Sequence, residues 1–188
     1  WPSVYAAVED GGQDVAWLER YFVQHIPSTG VQVYPLDGTA WAHPGAKTMS
    51  DRQYVYSPTI AVNGGSIVVG HPYSVLAWAP ERNSSWTPSV SVQRIKSEQT
   101  AVQVGVEQAK RLCLYRKATM SEALDIIAAD GKYGNHRFLA PLKDEPCAAL
   151  VRLRRDRVLY GAPGPYCGRG RPRVHGDRFA FKEPETWG

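Results

Sequence analysis

The chain has 188 residues, 43% hydrophobic and 21% charged, as expected of an ordinary globular domain. No stretch approaches the roughly 18 uncharged residues that cross a bilayer, and the N-terminus lacks the basic-then-apolar pattern of a signal peptide. The net charge of +4 is unevenly placed: between Arg152 and Arg173 seven arginines meet one acid, Asp156, so that window carries +6 and the rest of the chain −2. A basic segment of this kind has the footprint of a polyanion-binding surface.

In chain order, residues 14–26 place Val15, Leu18, Phe22 and Ile26 on one helical face, with Asp14 as N-cap. Pro27, Ser28 and Gly30 end that helix. Val31, Val33 and Leu36 lead a strand that is expected to stop at Asp37, with a loop over 38–52. Residues 53–62 read as a second strand weakened by Pro58, or as an active-site loop. Residues 66–79, SIVVGHPYSVLAWA, are β-rich, with Gly70-His71-Pro72 leaving open one kinked strand or two.

A turn at 81–85 leads to the strand WTPSVSVQRI, with Val90, Val92 and Arg94 on one face. Ser97 is expected to cap a helix whose apolar stripe is Val102, Val106, Ala109 and Cys113. The apolar run 124–129 has the length of a buried strand and ends abruptly at Asp130-Gly131. A short helix near 135–142 and a strand over 147–156 follow, and the Gly/Pro/Arg-rich stretch after Tyr160 is unsuited to a core. The implied organisation is a helical lead-in (1–30), an α/β core (31–157) and a basic segment (158–188).

Asp37 and Asp130 each stand at the carboxyl end of a buried-type strand, where open α/β sheets put their chemistry. Two such carboxylates are the minimum for holding a divalent metal. Asp-Gly is also a strong hairpin signal, so each pair taken singly reads first as a turn, and only the two together, each after a buried-type strand, balance that reading with one as ligands. In a mixed sheet the first and fourth principal strands lie side by side and bring the two acids together. His71 and His136 read as structural or solvent-facing, and Trp78 and Trp86 as core aromatics. Cys113, Cys147 and Cys167 lack zinc spacing and are expected to be free thiols in a reducing compartment. Serine-hydrolase elbow, phosphate-loop and zincin motifs are absent from the sequence.

Several segments in this order carry a family resemblance: Asp37-Gly38-Thr39 after its strand, GHPYSVLAW (70–78), SSWTPSVSVQRI (84–95), ADGKYGNHRFL (129–139), VRLRRDRVLY (151–160) and the arginine-rich tail. Together they resemble the DDE-superfamily transposases of bacterial insertion sequences, over about 31–187. The resemblance implies a ribonuclease-H-like mixed sheet flanked by helices, with a β-rich, arginine-rich insertion beginning at the C-terminus. It also implies two Mg²⁺ or Mn²⁺ ions, with Asp37 and Asp130 as the first two acids of the catalytic triad.

No residue matches the third acid, since Glu183 and Glu185 lie outside any helical pattern. The chain begins at Trp1 without an initiating methionine. It is therefore expected to be a transposase core cut off within the insertion. Its partners would be double-stranded DNA, both transposon ends and target, with a homodimer formed on DNA and a cytoplasmic, nucleoid-associated location in a bacterium.

Arg152, Arg154, Arg155 and Arg157 would contact DNA together with Arg169, Arg171 and Arg173. Gly168–Pro172 (GRGRP) resembles an AT-hook, in which an extended Arg-Gly-Arg enters the minor groove. The alternatives are a DNA-binding remnant without catalysis and a protein-interaction module with a basic segment.

Overall fold

The computed structural model describes residues 11–12, 14–58, 65–80 and 86–187. They fall into two compact units, 1–151 and 152–188. The first holds helices α1 (Val15–Gln24), α2 (Ala101–Ala118) and α3 (His136–Leu139) with strands β1 (Val31–Ala42), β2 (Gln53–Tyr56), β3 (Ile67–Ala77), β4 (Ser89–Arg94), β5 (Leu124–Ala129) and β6 (Ala148–Val151). The second holds β7 (Val158–Tyr160) paired antiparallel with β8 (Arg178–Ala180).

The six strands of the first unit form one mixed sheet, in the order β2-β3-β1-β5-β6, with β4 also on β3. β1 runs antiparallel to β3 and parallel to β5, which is parallel to β6. With its flanking helices this is a ribonuclease-H-like α/β fold. The first and fourth principal strands, β1 and β5, are neighbours.

β1 does not stop at Asp37. It continues to Ala42 because β3 supplies an antiparallel partner from Asp37↔Val75 to Ala42↔Gly70, so Asp37-Gly38 is strand and not turn. The stretch 66–79 contains one strand, β3. Its Pro72 falls between the end of β2 pairing at Gly70 and the start of β4 pairing at Tyr73. Strand pairing over 53–62 covers Gln53–Tyr56, and residues 59–62, like the turn at 81–85, lie outside the described residues. The strand expected over 147–156 is shorter, ending at Val151.

Asp14 caps α1 by accepting from the Trp17 amide at 2.9 Å, but the buried face is Glu19, Val23 and Ile26, while Val15 and Phe22 are exposed. The helix is rolled from its apolar stripe because Glu19 is drawn inward by Ser91 and Arg111. Thr100, not Ser97, caps α2 through a capping box with Gln103, while the Ser97 amide donates to Asp51.

α2 buries Ala109 and Cys113 as expected, but Val102 and Val106 only in part, because the polar Gln108 and Arg116 share its inner face. In β4 a bulge at Val90 puts Ser91 in the core and leaves Val92 exposed. Trp78 is half-buried and donates to Gln32, whereas Trp86 is 81% exposed and is not a core aromatic. All three cysteines are free thiols; Cys113 meets Cys147, which with burial pushes the Cys113 thiol up.

Two features hold β1, β5 and α2 together. On the sheet face under α2, Asp125 is fully enclosed. It accepts from the Tyr34 hydroxyl at 2.9 Å and from Arg116 Nε at 3.1 Å to both carboxylate oxygens. Arg116 also donates to the carbonyls of Ile26 and Pro27, so one guanidinium ties the end of α1 to β5. Burial, then the Asp125 charge, pushes the Tyr34 hydroxyl far above its usual range.

The second feature is a close approach at Gly105 of α2. A Cβ there would lie 2.8 Å from Tyr133 Cε1 and 3.0 Å from Leu36 Cδ2. Only glycine lets the helix settle on the Tyr133 ring, which stands edge-on to Phe138 at 5.1 Å.

Arg116→Leu is expected to lower unfolding free energy by about 3–5 kcal/mol, since it leaves Asp125 buried and uncompensated; urea denaturation measures this. Gly105→Ala is expected to cost up to about 2 kcal/mol in the same assay. Overpacking strain of about 1–3 kcal/mol outweighs a helix-propensity gain of about 1 kcal/mol.

Candidate active site

The parallel pairing of β1 and β5 ends at Leu36↔Ala129, and the next residue on each strand is an aspartate, Asp37 and Asp130. Neighbouring strands lie about 4.8 Å apart, so continuing the register sets these residues side by side at the carboxyl end of the parallel pair. Both are exposed. The buried Tyr133 hydroxyl lies within electrostatic reach of both: burial pushes it up, the Ser74 hydroxyl lowers it, and the negative charges of Asp37 and Asp130 raise it further.

Each carboxylate has one oxygen fixed by backbone. Asp37 Oδ1 accepts from the Gly38 amide at 2.7 Å, and Asp130 Oδ1 from the Lys132 amide at 2.9 Å. The turn after Asp130 is held further by Tyr133 N–H to the Asp130 carbonyl and by the Asn135 side chain. Asn135 donates to the Lys132 carbonyl and accepts from the Arg137 amide, capping α3. The second oxygen of each aspartate has no hydrogen-bond or ion-pair partner among the described residues.

Lys132 returns over β1, its Nζ 3.9 Å from where a Gly38 Cβ would be. It carries positive charge to the rim of the pair without bonding to either acid. The sequence held this lysine, but nothing in its pattern marked it, because its position depends on the turn.

Two free carboxylate oxygens on a rigid strand end suit a hard cation that keeps several waters. Among the described residues no group of three or more His, Cys, Asp or Glu side chains gathers to hold a metal. His71 is buried and bonded to the Ser50 carbonyl at 2.9 Å, and His136 is exposed at the start of α3. Neither is bonded to the aspartates.

In the second unit Arg152, Arg154, Arg155, Arg169, Arg171 and Arg173 are exposed, and Arg157 is half-buried. None of the seven forms an ion pair among the described residues. Glu183 does, gripping Arg178 with both oxygens, which holds its carboxyl below the usual range. The GRGRP stretch is not the extended strand of an AT-hook. Gly168 and Gly170 take left-handed φ values of +79° and +72°, and the Tyr166 hydroxyl donates to the Gly170 carbonyl at 2.8 Å. The arginines there sit on a tied turn.

No helix among the described residues is long and apolar enough to cross a membrane. Comparison with curated proteins and with solved structures gives no match. The family model of the DDE superfamily endonucleases matches residues 14–188, nearly the whole chain. A ribonuclease-H-like sheet and a sequence match of that extent give one answer: this chain belongs to the DDE superfamily endonucleases.

Proposed function

We propose that the chain carries the metal-dependent phosphodiester-cleaving core of a DNA transposase, with Asp37 and Asp130 as metal ligands. The observation that carries this reading is the shared strand end, where two backbone-fixed carboxylates each keep a free oxygen. Mg²⁺ or Mn²⁺, when bound, would supply activation of the attacking oxygen and stabilisation of the leaving one in an in-line displacement at phosphorus. The residues of this chain do the positioning. The Gly38 and Lys132 amides hold the acids in place, and the Lys132 ammonium is poised to meet a non-bridging phosphate oxygen.

Arg152, Arg154, Arg155, Arg157, Arg169, Arg171 and Arg173 are proposed to grip the backbone of double-stranded DNA, at transposon ends and target alike. Strand transfer, pairing of two copies on DNA and a nucleoid location in a bacterial cytoplasm belong to the same proposal. A metal-free, DNA-binding role is the second reading. It is favoured by Lys132, whose ammonium already brings positive charge beside the acids.

Thermal unfolding with added Mn²⁺ separates the two. At about 100 times the dissociation constant a bound ion stabilises by about 2.7 kcal/mol. The wild-type chain is expected to show a shift of this order, and Asp37→Asn and Asp130→Asn to lose it along with nicking of supercoiled DNA. An unshifted wild type supports the metal-free reading. For the arginines, the slope of log affinity against log salt is the measurement. Replacing Arg169, Arg171 and Arg173 by alanine should flatten it by about three for duplex DNA, one per phosphate contact.

A further inference from the structure

A chain of buried polar groups runs through the first unit to the back of the carboxylate pair. The Ser91 hydroxyl donates to Glu19, and Gln108 Nε2 donates to Ser91 Oγ at 3.0 Å and to the Ser74 carbonyl at 3.1 Å. Ser74 Oγ donates its one proton to Gln108 Oε1 at 2.6 Å. Ser74 lies opposite Gly38 in the β1–β3 register, and its hydroxyl is near enough to that of Tyr133 to lower it against the effect of burial. Its proton is already committed inward.

Tyr133 is where this chain stops. The residue is wholly buried, and its hydroxyl has no hydrogen-bond partner among the described residues. A buried hydroxyl left without a partner is a standing cost, and such groups in folded proteins call for a reason. Packing does not supply one. Phenylalanine would fill the same space against Gly105, Leu36 and Phe138 without the penalty. The hydroxyl is within electrostatic reach of both Asp37 and Asp130, and of no other acid that shifts it.

We infer that Tyr133 is a positioning residue for the carboxylate pair, its free hydroxyl proton reserved for Asp37 or Asp130 in the metal-loaded state. Outer-layer donors of this kind fix the orientation of metal-bound carboxylates, and removing one typically weakens metal affinity 10–100-fold. The Gln108–Ser74 pair takes part by occupying the one nearby hydroxyl proton, which leaves Tyr133 as donor. This inference rests on the metal reading above.

The test is thermal unfolding of the full chain titrated with Mn²⁺ alone, for wild type, Tyr133→Phe and Asp37→Asn. Without Mn²⁺, Tyr133→Phe is expected to unfold at the wild-type temperature or above it. It should then need about 10–100 times more Mn²⁺ for half of the wild-type shift. An unchanged Mn²⁺ midpoint overturns the inference, and so does a loss of metal-free stability with that midpoint preserved, the mark of a merely structural tyrosine. If wild type responds, Asp37→Asn does not, and Tyr133→Phe matches wild type, the positioning role alone fails. If Asp37→Asn keeps the wild-type response, the metal reading falls and takes the inference with it.

Discussion

The parallel alignment of β1 with β5 is the constraint on which the first unit depends. It is locked from below by Asp125, which takes hydrogen bonds from Tyr34 on the neighbouring strand and from Arg116 on the covering helix. A buried carboxylate is tolerated only with such compensation, and the geometry leaves no freedom for the strands to slip. A slip of one residue would turn Asp125 out of its cage and separate Asp37 from Asp130 together. Fold stability and the placing of the two acids are therefore one problem, solved at the opposite end of β5 from Asp130.

The two units of the chain are built on different principles. The first has a continuous core, running from Val23 and Ile26 through Tyr34, Leu36 and Leu76 to Phe138 and Leu142. The second has little to bury beyond Ala180 and the Phe179–Trp187 and Phe179–Phe181 ring contacts. Its shape comes from a short hairpin, glycines such as Gly176 at close backbone approaches, and a tyrosine-tied turn. Its surface carries the exposed arginines among exposed apolar side chains such as Leu159, Tyr166 and Val174.

Much of the framework was legible from apolar pattern alone. The strand 124–129 and the Asp14 cap could be read because periodicity and capping chemistry are local, whereas the placement of β1 beside β5 followed only from taking the sheet as mixed. What escaped was polar and long-range. α1 turned its face because Glu19 answers Ser91 and Arg111, and α2 because Gln108 and Arg116 are internal, and no count of hydrophobic residues sees a satisfied buried polar side chain. Asp37-Gly38 looked like a strand end because hairpin chemistry and strand termination share a signature. Only the pairing with β3 carries the strand past it. For the site, two strand-end acids were visible in sequence. Lys132 and the orphan hydroxyl of Tyr133 were not, because both depend on the turn after β5 folding back under α2.

The bulge at Val90 has a reach out of proportion to its size. By admitting one extra residue into β4, it carries a serine across the sheet to the inner layer and sends Val92 out to solvent. That single misalignment opens the socket into which Gln108 plugs, and through it the acid on α1 and the serine behind Gly38 are wired to one another. A chain lacking that one surplus residue would have a smoother ribbon and a greasier interior. It would also have nothing to hold the proton of Ser74 away from the tyrosine beneath the acids.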